Sequence, residues 1–224
     1  GTGEMVDSFT NVNNADMDVE FSPNGDWIGL GSRTLFLLNS SDYRLVRTFE
    51  PEVYEFEKVV DIEFWDYIGI NAQRRYTVEQ RFRRVTSVSF SSDVRYVASG
   101  HENGQIKIWE IKSGDLLNVI WATKVFGGII DVEFSPDGRF IAGCQDDERL
   151  KVWRFPDYRE SALTGHERAV YSIDFDPLTG RLLSAGVEGK IYVWDIETGK
   201  VLYRFDAHDK AVMSVAVTED GRTF

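Results

Sequence analysis

The 224-residue chain has few of the residues on which several classes of protein depend. Its single cysteine, Cys144, excludes an intramolecular disulfide, which is typical of a reducing compartment, the cytoplasm or the nucleus. No stretch approaches the roughly 20 apolar residues of a membrane-spanning helix, and the first residues lack the basic and apolar parts of a signal peptide. We therefore expect an intracellular protein that does not bind membranes.

Basic residues and histidines are also few. The 25 Lys and Arg are outnumbered by 37 Asp and Glu, and the net charge of −12 repels phosphate backbones. His101, His166 and His208 form no i, i+4 pair and have no cysteine partner, so no metal-ligand spacing is present. Neither a complete phosphate-binding loop nor a nucleophile elbow occurs. The sequence indicates no metal, no cofactor and no catalytic residues, and nucleic acid is an unfavourable partner.

The chain does contain an internal repeat. A turn rich in Ser, Pro, Asp and Gly follows four phenylalanines, Phe21, Phe90, Phe134 and Phe175. An alternating run that ends in tryptophan lies 19 residues after the last three of them, at Trp109, Trp153 and Trp194. A period of about 40 to 45 residues is typical of four-stranded propeller blades.

The strand before each turn has an unusual apolar spacing. Its apolar residues are separated by three positions and then two, as in Val85, Val88 and Phe90. A spacing of three breaks the alternation of a strand and predicts a β-bulge, which turns one extra residue outward. The extra residues are Met17, Val60, Thr86, Ile130, Tyr171 and Met213, of which five are apolar or aromatic.

These repeats resemble WD40 repeats across residues 16–224, most strongly from residue 85 onward. Gly165-His166 and Trp194-Asp195 bracket the unit that carries most of the pattern. The resemblance implies an all-β fold, a WD40-type β-propeller with about five blade units visible. The first two units are degenerate, the last is truncated, and the whole is expected to be part of a larger, commonly seven-bladed, propeller.

The resemblance also implies a buried hydrogen-bonded network within each blade. Its members here are His166, Ser184, Glu188 and Trp194, and Trp109 and Trp153 hold the matching position in two other blades. Glu188 stands where the family usually has Asp. The blade of Trp109 keeps Ser99 but has no preceding His, and the blade of Trp153 keeps Asp147 but has Gly143 in place of the Ser.

The repeats divide the chain into seven parts. These are an N-terminal segment (1–15) that is a candidate closing strand, a degenerate blade (16–58), a shortened blade or Arg-rich insert (59–84), three blades (85–128, 129–169 and 170–211) and the start of a truncated blade (212–224).

Two groups of residues are candidates for binding. By the resemblance, the extra residues of the bulges project at one rim around the central channel, where they would bind partners; alternatively, some of them are packed beneath loops. The second group is a basic cluster of Arg74, Arg75, Arg81, Arg83 and Arg84. This cluster would bind phosphate or an acidic peptide, or it is a solvated edge that pairs with surface acids.

We expect a non-enzymatic scaffold or adaptor whose rim docks peptides or folded partners within a multiprotein assembly, and additional chain is expected to close the propeller. One alternative is a sensor or substrate-recruiting domain of a larger enzyme or regulatory chain. The other is a phosphate or nucleic-acid reader that uses residues 74–84.

Overall fold

The computed structural model describes residues 18–32, 34–49, 84–122, 127–145 and 150–224, together with the backbone of 57–59 and 75–77. Within these ranges the regular secondary structure is entirely β-strand. A search of the same ranges for a helix long and apolar enough to cross a membrane finds none.

The strands form four antiparallel sheets of four strands each, in which neighbouring strands are consecutive in sequence. The first sheet contains β1 (Asp18–Phe21), β2 (Trp27–Gly31), β3 (Leu35–Asn39) and β4 (Leu45–Phe49). After a two-stranded hairpin of β5 (Glu57–Val59) and β6 (Arg75–Thr77), the second sheet contains β7 (Val85–Phe90), β8 (Tyr96–His101), β9 (Gln105–Glu110) and β10 (Leu116–Trp121).

The remaining strands continue the same pattern. The third sheet contains β11 (Ile129–Phe134), β12 (Phe140–Gln145), β13 (Leu150–Arg154) and β14 (Arg159–Leu163). The fourth contains β15 (Val170–Phe175), β16 (Leu182–Gly186), β17 (Lys190–Asp195) and β18 (Lys200–Asp206). The prediction of an all-β propeller architecture is confirmed, and the array of sheets is open.

The recurring turn joins the first and second strands of each sheet. In the third sheet the Ser135 hydroxyl donates to Asp137 Oδ1 at 2.6 Å and accepts from the Phe140 N–H at 2.9 Å. Asp137 Oδ1 also accepts from the Arg139 N–H at 3.0 Å, and Gly138 takes a left-handed conformation with φ of 69°. The Ser-Pro-Asp-Gly motif therefore supplies the side-chain acceptors and the glycine that this turn requires.

The predicted bulges are present in the first strand of three sheets. The register with the second strand shifts between Val85 and Ser87, between Ile129 and Asp131, and between Val170 and Ser172. The residues passed over are Thr86, Ile130 and Tyr171, as the apolar spacing predicts.

The hydrophobic core lies between neighbouring sheets. Leu35, Leu37 and Phe49 of the first sheet pack against the first strand of the second sheet. Equivalent clusters join the second sheet to the third and the third to the fourth. Each sheet is thus buried on the faces that meet another sheet, as expected for blades arranged around an axis.

The first sheet packs directly on the second, although about 35 residues of chain separate them. The Val88 N–H donates to Asp18 Oδ2 at 2.7 Å across this interface. The hairpin of β5 and β6 belongs to the segment that connects these two sheets. Most of residues 59–84 lie outside the described residues, so a shortened blade and an Arg-rich insert both stay predictions for this segment.

A fifth unit begins after β18. Val212 and Val215 pack on the fourth sheet, in a cluster with Leu183 and Val193. The recurring turn then appears again, because the Thr218 N–H donates to the Thr223 carbonyl at 2.9 Å. The described residues therefore contain four complete blades and the start of a fifth.

Replacing Gly29 with alanine is expected to lower the free energy of unfolding by about 1–2 kcal/mol. A Cβ at Gly29 would lie 2.8 Å from Val88 Cγ1 and 3.0 Å from Phe90 Cε2, so the first two sheets would be forced apart. Urea unfolding measures the loss. Adding Val88→Ala should make the double variant less destabilised than the sum of the single variants, and simple additivity would contradict the steric explanation.

Candidate partner-binding rim

The described bulge residues lie at the same end of neighbouring first strands. Each of these strands contacts the first strand of the next sheet. Thr86, Ile130 and Tyr171 each directly precede a residue that takes part in hydrogen bonds between sheets, so the three come side by side around the axis. Met213 holds the equivalent position in the fifth unit. We call these four residues the bulge rim. Met17 and Val60 lie outside the described residues.

The four side chains differ in exposure. Met213 is 69% exposed, and Thr86, Ile130 and Tyr171 are half-buried. Ile130 packs against the core between the third and fourth sheets, and the Thr86 hydroxyl is buried without a hydrogen-bond partner. Ile130 is thus partly engaged in packing, and Met213 is the most exposed side chain of the bulge rim.

A ladder of hydrogen bonds beneath the rim joins the sheets, and sequence reasoning missed it. The first and third residues after each bulge position accept from backbone N–H groups of the following unit, except Glu133, which accepts from the Ser89 hydroxyl of the preceding sheet. The acceptor–donor pairs are Asp18–Val88 (2.7 Å), Glu20–Phe90 (3.0 Å), Ser87–Val132 (3.1 Å), Ser89–Phe134 (3.0 Å), Asp131–Ile173 (3.0 Å), Ser172–Val215 (3.2 Å) and Asp174–Val217 (2.5 Å). A sequence feature that could have predicted the ladder is the Ser, Asp or Glu at alternate positions of each first strand.

The carboxylates of this ladder have raised pKa values. Burial raises the pKa of Asp131 to about 6, against the lowering effect of the hydrogen bonds from Ile173 and Ser87. Burial, and then the charge of Asp18, raises the pKa of Glu20 well above its ordinary value. Burial together with the charges of Glu20 and Asp131 does the same for Glu133. The ladder therefore favours protonated acids at mildly acidic pH.

The network of the fourth blade contains all four residues that the resemblance implies. His166 contacts Glu188 through Nδ1 and Ser184 Oγ through Nε2, both at 2.7 Å, and the Trp194 indole N–H donates to the same Ser184 oxygen at 2.7 Å. Burial lowers the pKa of His166 although Glu188 raises it. A neutral His166 that donates from Nδ1 to Glu188 and accepts the Ser184 hydroxyl satisfies every group. This network stabilises the blade and leaves no free nucleophile.

The second blade builds a related network from a histidine that sequence reasoning did not include. The Trp109 indole N–H donates to Ser99 Oγ at 3.0 Å, and His101 Nε2 lies 3.0 Å from the same oxygen. His101 follows Ser99 by two residues on β8, whereas the repeat pattern places the histidine before the first strand. The sequence feature that could have identified His101 is its spacing of two residues from Ser99, which puts both side chains on one face of the strand.

The third blade has a different arrangement around Trp153. A Cβ at Gly143 would lie 3.2 Å from Trp153 Cζ3 and 2.9 Å from Ile106 Cδ1. The indole therefore occupies the space that a serine would need. Trp153 is 2% exposed and packs in the core between the second and third sheets. Asp147 lies outside the described residues.

The basic cluster is described only in part. Arg75 lies on β6, where its backbone pairs with Val59, and the Arg84 N–H lies 3.4 Å from Glu102 Oε2. Arg84 places the end of the cluster beside the bulge rim, since Thr86 is two residues away. Arg74, Arg81 and Arg83 lie outside the described residues.

The described ranges hold no group of three or more His, Cys, Asp or Glu side chains that could bind a metal ion. Cys144 is fully buried, and burial raises the pKa of its thiol well above the ordinary value, so it stays protonated.

The repeated four-stranded sheets define the protein as a set of β-propeller blades. The family model "WD domain, G-beta repeat" matches residues 74–110, 123–154 and 158–195. The β-propeller domain of Cps50 (Swd1) from Myceliophteria thermophila superposes with a TM-score of 0.71 at 14% identity, over 95% of this chain and 62% of that one. The chain belongs to the WD40-repeat family.

Curated relatives match parts of the chain. Nuclear distribution protein nudF 1 of Talaromyces marneffei is 28% identical over 66% of this chain and 32% of its own length. WD repeat and SOCS box-containing protein 1 of Homo sapiens is 32% identical over 48% of this chain and 26% of its own length. Anaphase-promoting complex subunit cdc20 of Dictyostelium discoideum is 23% identical over 69% and 31%. The chain thus spans about a third or less of the length of these relatives. A WD40 propeller is typically a protein-interaction scaffold.

Proposed function

We propose that the chain is a non-enzymatic protein-interaction scaffold that binds peptides or folded partners at the bulge rim. The observation that carries the proposal is the recurrence of an outward residue at one end of successive first strands, with Met213 69% exposed. A bulge that re-aims a side chain at the rim of a barrel or propeller supports a binding role.

The ladder of hydrogen bonds supports the same proposal by holding the rim rigid. It joins neighbouring first strands directly below the bulge residues, so Tyr171 and Met213 are presented on a surface with little freedom. A rigid surface loses little conformational entropy when a partner binds. Aromatic and methionine side chains are favoured at such contacts because they offer large apolar area and adapt to different partners.

Met213→Asp and Tyr171→Asp are each expected to reduce partner recovery in a quantitative pull-down at least tenfold, or about 1.4 kcal/mol. A charge at either position must be desolvated when an apolar partner surface covers it. Leu178→Asp is the matched control, because Leu178 is 70% exposed but lies beyond the opposite end of the strand that carries Tyr171. Thermal unfolding confirms that each variant is folded. Equal recovery with the rim variants and the control would contradict the proposal.

A second candidate is a substrate-recruiting module of a larger assembly. It is favoured by the similarity to a relative whose name describes a subunit of the anaphase-promoting complex. Affinity purification under native conditions separates the two: a recruiting module co-purifies with enzyme subunits in fixed stoichiometry, and a general scaffold does not.

A further inference from the structure

The outer edge of the second blade lies away from both ends of the array of sheets. Strand β10 is the outer strand of this blade, and within the described residues no further strand pairs with its outer side. The first and third sheets pack on the two faces of the blade. The side chains that β10 exposes are therefore not exposed for lack of a neighbouring blade.

The strand β10 contains no charged residue, and two of its apolar side chains are exposed. Leu117 is 47% and Trp121 60% exposed. Charged side chains on an edge strand commonly prevent another strand from pairing with it. Each of the other outer strands has such residues, Arg47 on β4, Arg159 and Glu160 on β14, and Lys200, Arg204 and Asp206 on β18. The outer edge of the second blade lacks this protection.

A buried lysine lies on the strand next to this edge. Lys107 on β9 is 8% exposed, and its Nζ lies 6.0 Å from the centroid of the Trp109 ring. The described residues give this ammonium no hydrogen bond and no ion pair. Burial without a neutralising anion lowers the pKa of Lys107. A buried charge is costly unless it is paired, so an anion beside Lys107 would be stabilised.

The third blade shows how a lysine at the same position is paired. Lys151 holds in β13 the position that Lys107 holds in β9, two residues before the tryptophan of the blade. The Lys151 ammonium donates to the Ala122 carbonyl at 2.8 Å and forms an ion pair with Glu160 Oε1 at 2.7 Å. The third blade thus supplies a carboxylate from its own outer strand.

The second blade has no carboxylate at the matching place. Glu160 lies opposite Trp153 across the third sheet. In the second sheet the residue opposite Trp109 is Leu116. Lys107 is therefore buried but lacks the carboxylate that its counterpart in the third blade has.

The lysine and the exposed tryptophan lie on the same face of the sheet. Lys107 is opposite Val119 and Gln105 is opposite Trp121, and alternate residues of a strand share a face. A strand added beside β10 would lie about 10 Å from β9, two strand spacings away. Extended lysine and glutamate side chains together span this distance across the small Val119. An apolar residue two positions along the added strand would cover Trp121.

We propose that β10 accepts an extended segment of another protein as a fifth strand of the second blade, with an acidic side chain of that segment paired with Lys107 and an apolar one on Trp121. Charge complementarity with the unpaired ammonium identifies the carboxylate as the group to be bound. Main-chain hydrogen bonds give affinity in strand addition, and alternate side chains give specificity. The site lies on the outer edge of the blade and does not depend on binding at the bulge rim.

Urea unfolding of two lysine variants tests whether Lys107 is unpaired in the chain alone. Lys107→Met should keep or raise the urea midpoint, because methionine occupies similar space without a charge that requires an anion. Lys151→Met is the matched control and should lower the midpoint, since it leaves Glu160 without its partner. A loss with Lys107→Met as large as that with Lys151→Met would overturn the proposal, because Lys107 would then already have an anion within the chain.

Fluorescence anisotropy with a defined peptide tests the occupant. The probe is the labelled, end-capped peptide Thr-Val-Thr-Glu-Thr-Val-Thr, whose valines share a face with its glutamate when the peptide is extended. The unaltered chain should bind this peptide roughly tenfold more tightly than the same peptide with glutamine in place of glutamate. Lys107→Met should abolish that difference, and Trp121→Ser should weaken both peptides alike. Lys151→Met should bind both peptides as the unaltered chain does.

Reversing the charge of the lysine completes the test. Lys107→Glu should prefer the peptide in which lysine replaces glutamate. Circular dichroism shows whether each variant is folded, and Lys107→Met decides the test where Lys107→Glu does not fold. Equal binding of the glutamate and glutamine peptides would overturn the proposal. So would a preference for glutamate that survives Lys107→Met, or no binding of any peptide at millimolar concentration.

Discussion

Replacing Ser184 with alanine is expected to lower the free energy of unfolding by about 2–4 kcal/mol. The Ser184 hydroxyl is fully buried and bonds both His166 and Trp194. Its removal leaves the His166 Nε2 and the Trp194 indole N–H without their partner at a buried site, and each unsatisfied group costs about 1–3 kcal/mol. The loss is large because one oxygen serves two groups.

Urea unfolding followed by tryptophan fluorescence measures this loss. Ser161→Ala on the exposed strand β14 is the matched control and should change stability by less than about 0.5 kcal/mol. Ser99→Ala in the second blade should behave like Ser184→Ala, since Ser99 joins Trp109 to His101. A Ser184→Ala variant as stable as the control would show that the network does not hold the blade together.

The protein is expected to become more stable as the pH falls from about 7.5 to 5, opposite to the usual trend of acid denaturation. The raised pKa of Asp131, about 6, lies above the ordinary value of 3.8, so the folded state binds its proton more tightly than the unfolded state. This contribution is fully present below pH 3.8 and is lost as the pH rises through about 6. Over the stated range Asp131 alone accounts for about 1 kcal/mol.

Other groups add to this effect or oppose it. The raised pKa values of Asp18, Glu20, Glu133 and Asp174 act in the same direction as that of Asp131. The lowered pKa of His166 opposes them, because the unfolded state gains a proton on this histidine below pH 6.5. The lowered pKa values of Asp176, Asp195 and Asp220 matter only below about pH 4. The acids outnumber the histidine, so the net change is stabilising.

Urea midpoints at pH 5 and pH 7.5 test this prediction. Asp131→Asn should reduce the difference between the two by about 1 kcal/mol, because asparagine does not ionise. Asp209→Asn, at an exposed position, is the control and should leave the difference unchanged. A midpoint that falls steadily between pH 7.5 and 5 would contradict the buried state of these acids.

The repeat predicted the fold because its signals are local. The turn chemistry of Ser135 and Asp137 and the spacing of Val85, Val88 and Phe90 depend on residues a few positions apart, and their periods located the strands and the bulges. The network of His166, Ser184 and Trp194 followed from the resemblance, since those residues lie at the family's positions.

Features that depend on contacts between distant segments were not predicted. The Val88 N–H donates to Asp18, which lies 70 positions earlier in the sequence. The sequence of neither strand indicates which strand it will pack against. In the second blade His101, on β8, takes the place of the histidine that the repeat pattern puts before the first strand.

Site-specific photo-cross-linking tests the central claim, that partners bind at the bulge rim, most directly. A photoreactive phenylalanine analogue is placed at Tyr171, at Met213 or at Leu178 in cells that express the protein, and cross-linked species are counted after irradiation. The first two positions are expected to yield the same discrete partner bands, and Leu178 at the opposite end to yield none of them. Bands from Leu178 alone, with none from Tyr171 or Met213, would place the binding surface on the other side of the propeller.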